Sequence, residues 1–159
     1  MDIKLKNYLK LHSISYIGHE HEAVFTVEES RKLKQSIPGL HCKCLFLKDE
    51  NKKFYLVALP AEKRLDTKKL KSLLEIKKLN FGSPEELKEK LNLTPGSVSI
   101  FGMINSKDSE VVLLIDKEVW DAEKTGFHPN INTSTLELNH EDLEKYYNSL
   151  SGEKSILKL

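Results

Sequence analysis

Apolar positions along the chain follow two periods, and together they predict an alternation of short helices and short strands. Ile3, Leu5, Tyr8, Leu9 and Leu11 give residues 2–12 the spacing of a helix. Ser15–His19 predicts a strand. Thr26-Val27-Glu28-Glu29 is a capping box that opens a helix of about ten residues, ending before Pro38-Gly39. Cys42–Leu47 and Phe54–Leu59 are β runs, and the polar stretch Lys48–Lys53 predicts a hairpin between them. Asp66 caps a helix running to about Glu75. Ser83-Pro84-Glu85-Glu86 is a second capping box, with proline at the first helical position, and its helix ends near Asn92. Thr94-Pro95-Gly96 predicts a turn. Ser97–Phe101 and Val111–Ile115 predict a second strand pair across the polar loop Asn105–Glu110. Thr133–Leu138 predicts another strand, Asn139 caps a last helix over His140–Leu150, and Ser151–Leu159 is expected to fray. Six or seven short strands with two hairpins imply an α/β fold. The expected architecture is a mixed, mostly antiparallel sheet with surrounding helices, not a doubly wound parallel one.

Length sharpens this picture. A chain of 159 residues fits one domain, expected here over residues 1–150 with 151–159 as a flexible tail. Apolar residues make up 39% and charged residues 31%, enough for one core and too apolar for disorder. No apolar run approaches the roughly 18 residues of a membrane span. Met1-Asp2-Ile3-Lys4 lacks the basic-then-apolar pattern of a secretory signal. A cytoplasmic protein without a membrane partner is expected. Cys42 and Cys44 would share one side of a strand, poorly placed for a disulfide, and read as small buried hydrophobes. No ligand spacing calls for a metal, and none is expected.

The net charge of +1 conceals an asymmetry. Residues 43–78 carry 11 basic against 5 acidic side chains, whereas residues 79–159 carry 8 against 14. The basic segment is a candidate for contacting an anion, although Lys68, Lys69 and Lys71 also fit a solvated helix face beside Leu70, Leu73 and Leu74. Only Arg31 and Arg64 are arginines. Base reading in a DNA groove leans on arginine, so no DNA partner is expected, while loose steering of a nucleic-acid backbone stays open.

Three segments could carry chemistry. Lys43 interrupts an apolar strand and shares a face with Leu45 and Leu47, so it either snorkels at the strand start or meets an anion. Pro95-Gly96-Ser97-Val98-Ser99-Ile100-Phe101-Gly102 is either an ordinary turn or a set of amides aimed at an oxyanion. Ser97 and Ser99 have no local base and are not read as nucleophiles. In Phe127–Thr135, His128 is a base, a substrate contact or a loop-fixing donor. His19 and His21 form an H-x-H without a third ligand nearby. No dinucleotide, P-loop or nucleophile-elbow motif occurs.

Taken in order, these segments resemble the free-standing editing domains of the prolyl-tRNA synthetase type in the YbaK-like superfamily, closest to the alanyl-tRNA(Pro) deacylases. The matching residues are His21 with Val24-Phe25-Thr26-Val27-Glu28-Glu29, then His41-Cys42-Lys43-Cys44-Leu45-Phe46-Leu47-Lys48-Asp49. Pro95-Gly96-Ser97-Val98-Ser99, Phe101-Gly102, His128-Pro129, Asn132-Thr133 and Thr135 complete the set. The resemblance implies one compact domain with a curved sheet, no cofactor, and hydrolysis of a wrong amino acid from a tRNA 3′ end. Ala-tRNA(Pro) is the first expected substrate, and prolyl-tRNA synthetase an expected partner. Binding alone discriminates one methylene by only about 1–3 kcal/mol, which is why a second, hydrolytic sieve is needed. By resemblance Lys43 holds the substrate end, the Gly96 and Ser97 amides orient the ester, and His128 positions the substrate or the loop. His21, Phe25, Thr26, Leu45, Val98, Phe101 and Asn132 are expected to contact substrate. The chain departs from the family where Cys44 replaces an asparagine, which removes a polar group beside Lys43, and where Ile100 replaces a proline, which loosens the glycine loop and alters the expected size cut-off. The alternatives are a deacylase for cysteinyl- or seryl-tRNA, or a non-catalytic module binding tRNA or a synthetase.

Overall fold

The computed structural model describes residues 1–23, 27–107 and 110–159, without the side chain of Val27. Helix α1 (Ile3–Leu11) is capped by the Asp2 carboxylate, which accepts from the Lys4 amide at 3.1 Å. Strand β1 (Ile17–Glu20) and helix α2 (Val27–Ser36) follow. The expected capping residue of α2, Thr26, lies outside the described residues. Strands β2 (Leu40–Asp49) and β3 (Phe54–Pro60) form the predicted hairpin, in register from Cys42 opposite Pro60 to Lys48 opposite Phe54. Buried Asp49 fixes its turn. One oxygen accepts from the Asn51 and Lys53 amides and the other from the Tyr55 hydroxyl at 2.8 Å.

Helix α3 (Thr67–Leu74) starts at Asp66 and ends on Glu75 in the left-handed region. Strand β4 (Leu79–Phe81) leads into α4 (Pro84–Leu91), whose capping box is complete: Ser83 and Glu86 each accept from the other's amide. A 3₁₀ helix (Ile100–Asn105), β5 (Val111–Asp116), α5 (Lys117–Asp121), β6 (Lys124–Phe127), β7 (Ser134–Asn139), α6 (His140–Ser149) and β8 (Lys154–Leu157) complete the chain.

The strands form one mixed eight-stranded sheet in the order β1-β7-β6-β2-β3-β5-β8, with β4 added to the far end of β2. β2 is the hub. Its start runs parallel to β6 through Leu40 and His41, its middle pairs with β3, and its end pairs with β4. Gly39 permits the approach to β6: its φ is +100°, and an added Cβ would sit 2.8 Å from Lys124. All seven residues of β3 are buried, because apolar clusters cover both of its faces. The first cluster takes Cys44, Phe46, Leu56 and Ala58 together with α1, α4, the 3₁₀ helix and α6. The second takes Leu47, Val57, Leu59 and Leu70 with Leu45 at its margin.

Two expectations are corrected. Ser97–Phe101 does not form a strand. Ser99 Oγ accepts from the Phe101 amide and starts a 3₁₀ turn, so β5 pairs in parallel with β3 instead of closing a second hairpin. Ser151–Leu159 does not fray: β8 pairs in parallel with β5, and the Leu159 amide donates to buried Asp116 at 3.1 Å. Among the described residues no helix is long and apolar enough to cross a membrane.

Candidate functional site

One face of the sheet gathers polar side chains from four strands. In β7, Leu136 and Leu138 point into the first cluster, so Thr135 and Glu137 point the other way. Register pairs His19 with Thr135 across β1 and β7, and His41 with Gly126 across β2 and β6. Phe127 enters the first cluster, which turns Gly126 and His128 to the polar face. Continuing along β2, alternation carries that face from His41 through Lys43 to Leu45 and Leu47.

The histidines on this face have definite tautomers, because a carbonyl can only accept. His21 Nδ1 donates to the Glu22 carbonyl at 2.8 Å, so in the neutral ring Nε2 accepts from the Thr135 hydroxyl at 2.9 Å. His128 Nδ1 donates to the Ser134 carbonyl at 3.0 Å, which leaves Nε2 with a lone pair. His41 Nε2 donates to the Ile37 carbonyl at 3.2 Å, which leaves Nδ1. The His21 and His128 rings lie 6.3 Å apart. Burial holds His41 below the usual histidine range. The Ile37 bond opposes that shift, while Lys34, His128 and His21 reinforce it. His41 is therefore neutral at pH 7. His19 Nε2 meets Glu137 at 3.0 Å, and Lys124 meets the other oxygen of that buried carboxylate at 3.5 Å.

Lys43 lies at the edge of this row and on the wall of a cavity of about 550 Å³. Leu45, Leu47, Leu65, Leu79 and Phe81 supply the apolar wall, and Glu62, Arg64, Thr67 and Asn80 the polar one. The Lys43 side chain is half-buried, and among the described residues no carboxylate pairs with it. An ammonium group held without a counter-charge beside an apolar wall is suited to an incoming anion or carbonyl oxygen. Lys43 is thus half-buried on a cavity wall, the position from which its two sequence readings, snorkelling and anion contact, both start.

Other expected site residues sit elsewhere. Phe101 is fully buried, packed edge-on against Phe127 and Tyr146, and is a core residue, not a substrate contact. Val98 packs on the first cluster, which also holds Cys44 and Ile100, so the glycine loop sits against the face of β2 opposite Lys43. The Ser97 amide is already engaged by the Thr94 carbonyl at 3.1 Å. Gly96 has φ +89° and open space around the position of a Cβ. The Lys43 cavity is not lined by Gly96. Asn132 is half-buried in the loop before β7, and Phe25 and Thr26 lie outside the described residues. Burial pushes the Cys44 thiol up to about 12, and Cys42 rises with it. Both cysteines are inert packing groups. Among the described residues no three His, Cys, Asp or Glu side chains gather as a metal site.

Sequence reasoning assigned no role to His41, Thr135, Arg64 or Phe81. His41 and Thr135 were visible in the family pattern. Arg64 and Phe81 reach the cavity only through β4 pairing and the start of α3, which no local pattern announces.

The family model described as an aminoacyl-tRNA editing domain matches residues 21–146, a span that includes His41, Lys43, Gly96 and His128. The prolyl-tRNA editing protein ProX of Acetoanaerobium sticklandii is 36% identical over 148 residues, covering 91% of this chain and 90% of the relative. Prolyl-tRNA synthetase associated domain-containing protein 1 of Bos taurus is 31% identical, covering 87% of this chain and 83% of its own. The crystal structure of a candidate trans-editing enzyme for prolyl tRNA synthetase superposes with a TM-score of 0.73 at 16% identity, over 100% of this chain and 99% of that one, and so shares the fold. With a family model matched over most of its length and a relative 36% identical over 91% of it, the chain belongs to the aminoacyl-tRNA editing domain family.

Proposed function

We propose that this protein is a trans-acting deacylase that hydrolyses the ester joining a small, wrongly attached amino acid to a tRNA 3′ end, with Ala-tRNA(Pro) its first substrate. The observation that carries the reading is Lys43: a half-buried ammonium without a carboxylate partner among the described residues, on the wall of a leucine-lined cavity. The relatives' names point to prolyl-tRNA as the RNA and prolyl-tRNA synthetase as the neighbouring enzyme. In this reading Lys43 holds the substrate end by charge-assisted hydrogen bonds. Leu45 and its neighbours set the size limit for the amino-acid side chain. His128, with a free ring nitrogen, orients the attacking water or the terminal ribose. The Gly96 amide keeps the oxyanion role only if substrate bridges to it past the end of β2.

Purified protein is expected to release alanine from Ala-tRNA(Pro) faster than from matched seryl- or cysteinyl-tRNA. Lys43→Ala is expected to lower that rate by about 100-fold or more, the usual cost of a lost charge-stabilising donor. Turnover at the uncatalysed rate on all three substrates, or full activity in Lys43→Ala, would refute the reading.

A further inference from the structure

Two sets stand out among the basic side chains of residues 43–78. Lys63 is held by Asp116 and Glu118 at 2.9 Å each, and Lys48 by Glu86 at 2.9 Å. Arg64, Lys68 and Lys71 have no such partner among the described residues. These three lie together. Arg64 and Thr67 line the cavity. Lys71 is four residues beyond Thr67 on α3 and so shares its helix face, and Lys68 is the i−3 neighbour of Lys71. Lys69 points away and lines a different cavity, beside Asp116, Glu118 and Asp121. The one acidic group on the rim, Glu62, is 85% exposed and held by Lys34 at 3.4 Å.

An aromatic ring stands beside this row. Phe81 lines the same cavity yet is 69% exposed, second only to Leu11 among the exposed large apolar side chains of the described residues. Nothing in the described fold covers it. Unneutralised cations beside an exposed aromatic face are the combination that holds single-stranded nucleic acid: charge follows the backbone, and any base can stack. The cations are mostly lysine, which suits backbone contact without base reading.

Resting on the deacylase reading, we propose that this rim is the RNA-docking track. Arg64, Lys68 and Lys71 take backbone phosphates next to the acceptor end, and Phe81 stacks an unpaired base of the 3′ tail whose ester enters the Lys43 cavity.

The test is filter binding of uncharged tRNA(Pro), and of an acceptor-stem hairpin with or without its single-stranded 3′ tail, across about 50–200 mM salt. The Arg64→Gln/Lys68→Gln/Lys71→Gln variant is expected to bind at least tenfold more weakly, with the log–log salt slope reduced by about 2–3. Lys71→Gln should lose about one unit of slope, and Lys69→Gln, on the opposite helix face, none. Phe81→Ala should weaken binding of the tailed hairpin by about tenfold and leave the tail-less one unchanged. In deacylation the triple variant should raise KM and spare kcat. An unchanged slope in the triple variant, equal losses in Lys69→Gln and Lys71→Gln, or a Phe81→Ala effect independent of the tail would overturn the track. These outcomes separate it from the reading beneath. Slope-dependent binding without ester cleavage keeps the track and removes the deacylase. Cleavage with an unaltered slope does the reverse.

Discussion

The two faces of β2 are built from the same ten residues and differ in almost everything else. The face bearing Cys44 and Phe46 is sealed. Phe101, Phe127 and Tyr146 interlock edge to face, and the Tyr146 hydroxyl donates to the Ile100 carbonyl at 2.6 Å. The face bearing His41, Lys43 and Leu45 carries histidines with spare nitrogens, a lone ammonium and an open cavity. A strand can serve both because its side chains alternate. The difference teaches that stability and chemistry in this protein are assigned to opposite sides of one element, so a substitution of either kind should leave the other property nearly intact.

That division can be broken by measurement. The largest effect is expected on the sealed face. Phe101→Ala should cost about 3–5 kcal/mol of stability by chemical denaturation, as large-to-small changes in aromatic cores do. A loss below about 1 kcal/mol would mean that this face is looser than its burial indicates. An intermediate effect is expected from His41, whose folded-state pKa is lowered. Between that lowered value and the unfolded value of 6.5 the unfolded chain binds more protons, so stability rises with pH through this window and falls as pH drops below about 6.5. Urea midpoints from pH 7.5 down to about 5.5 should therefore decline in the wild type and decline less in His41→Gln. Parallel declines would remove His41 as the source. The smallest effect on stability is expected at the site itself. Lys43→Met keeps the stem and removes an unpaired charge, so stability should change by no more than about 0.5 kcal/mol while deacylation is lost. A drop of several degrees in Tm would show that Lys43 holds the fold together and that the two faces are not independent.

Much of the local structure was legible before any fold was known. Asp66, Ser83 with Glu86, and the polar turn between β2 and β3 announce themselves, because caps and tight turns are decided by neighbours within four residues. Lys43 was legible for the same reason: a cation within a run of apolar strand positions. What was not legible depends on pairing across the chain. β4, β6 and β8 are three or four residues long and become strands only because β2, β7 and β5 offer them edges. Ser97–Phe101 reads as a strand from its sequence, but the Ser99 hydroxyl accepts from the Phe101 amide and starts a 3₁₀ turn there instead. The histidine row could not be seen as a row. His19, His41 and His128 come from distant parts of the chain and meet only through the order β1-β7-β6-β2.

β3 offers a last consequence. With Leu56 and Ala58 turned to one cluster and Val57 and Leu59 to the other, it is a party wall between two rooms, one furnished and closed, the other left with its door open. Tuning which guest fits the open room need not touch anything that meets the guest: a methyl group removed at Val57, the cross-strand neighbour of Leu45, would move the wall itself.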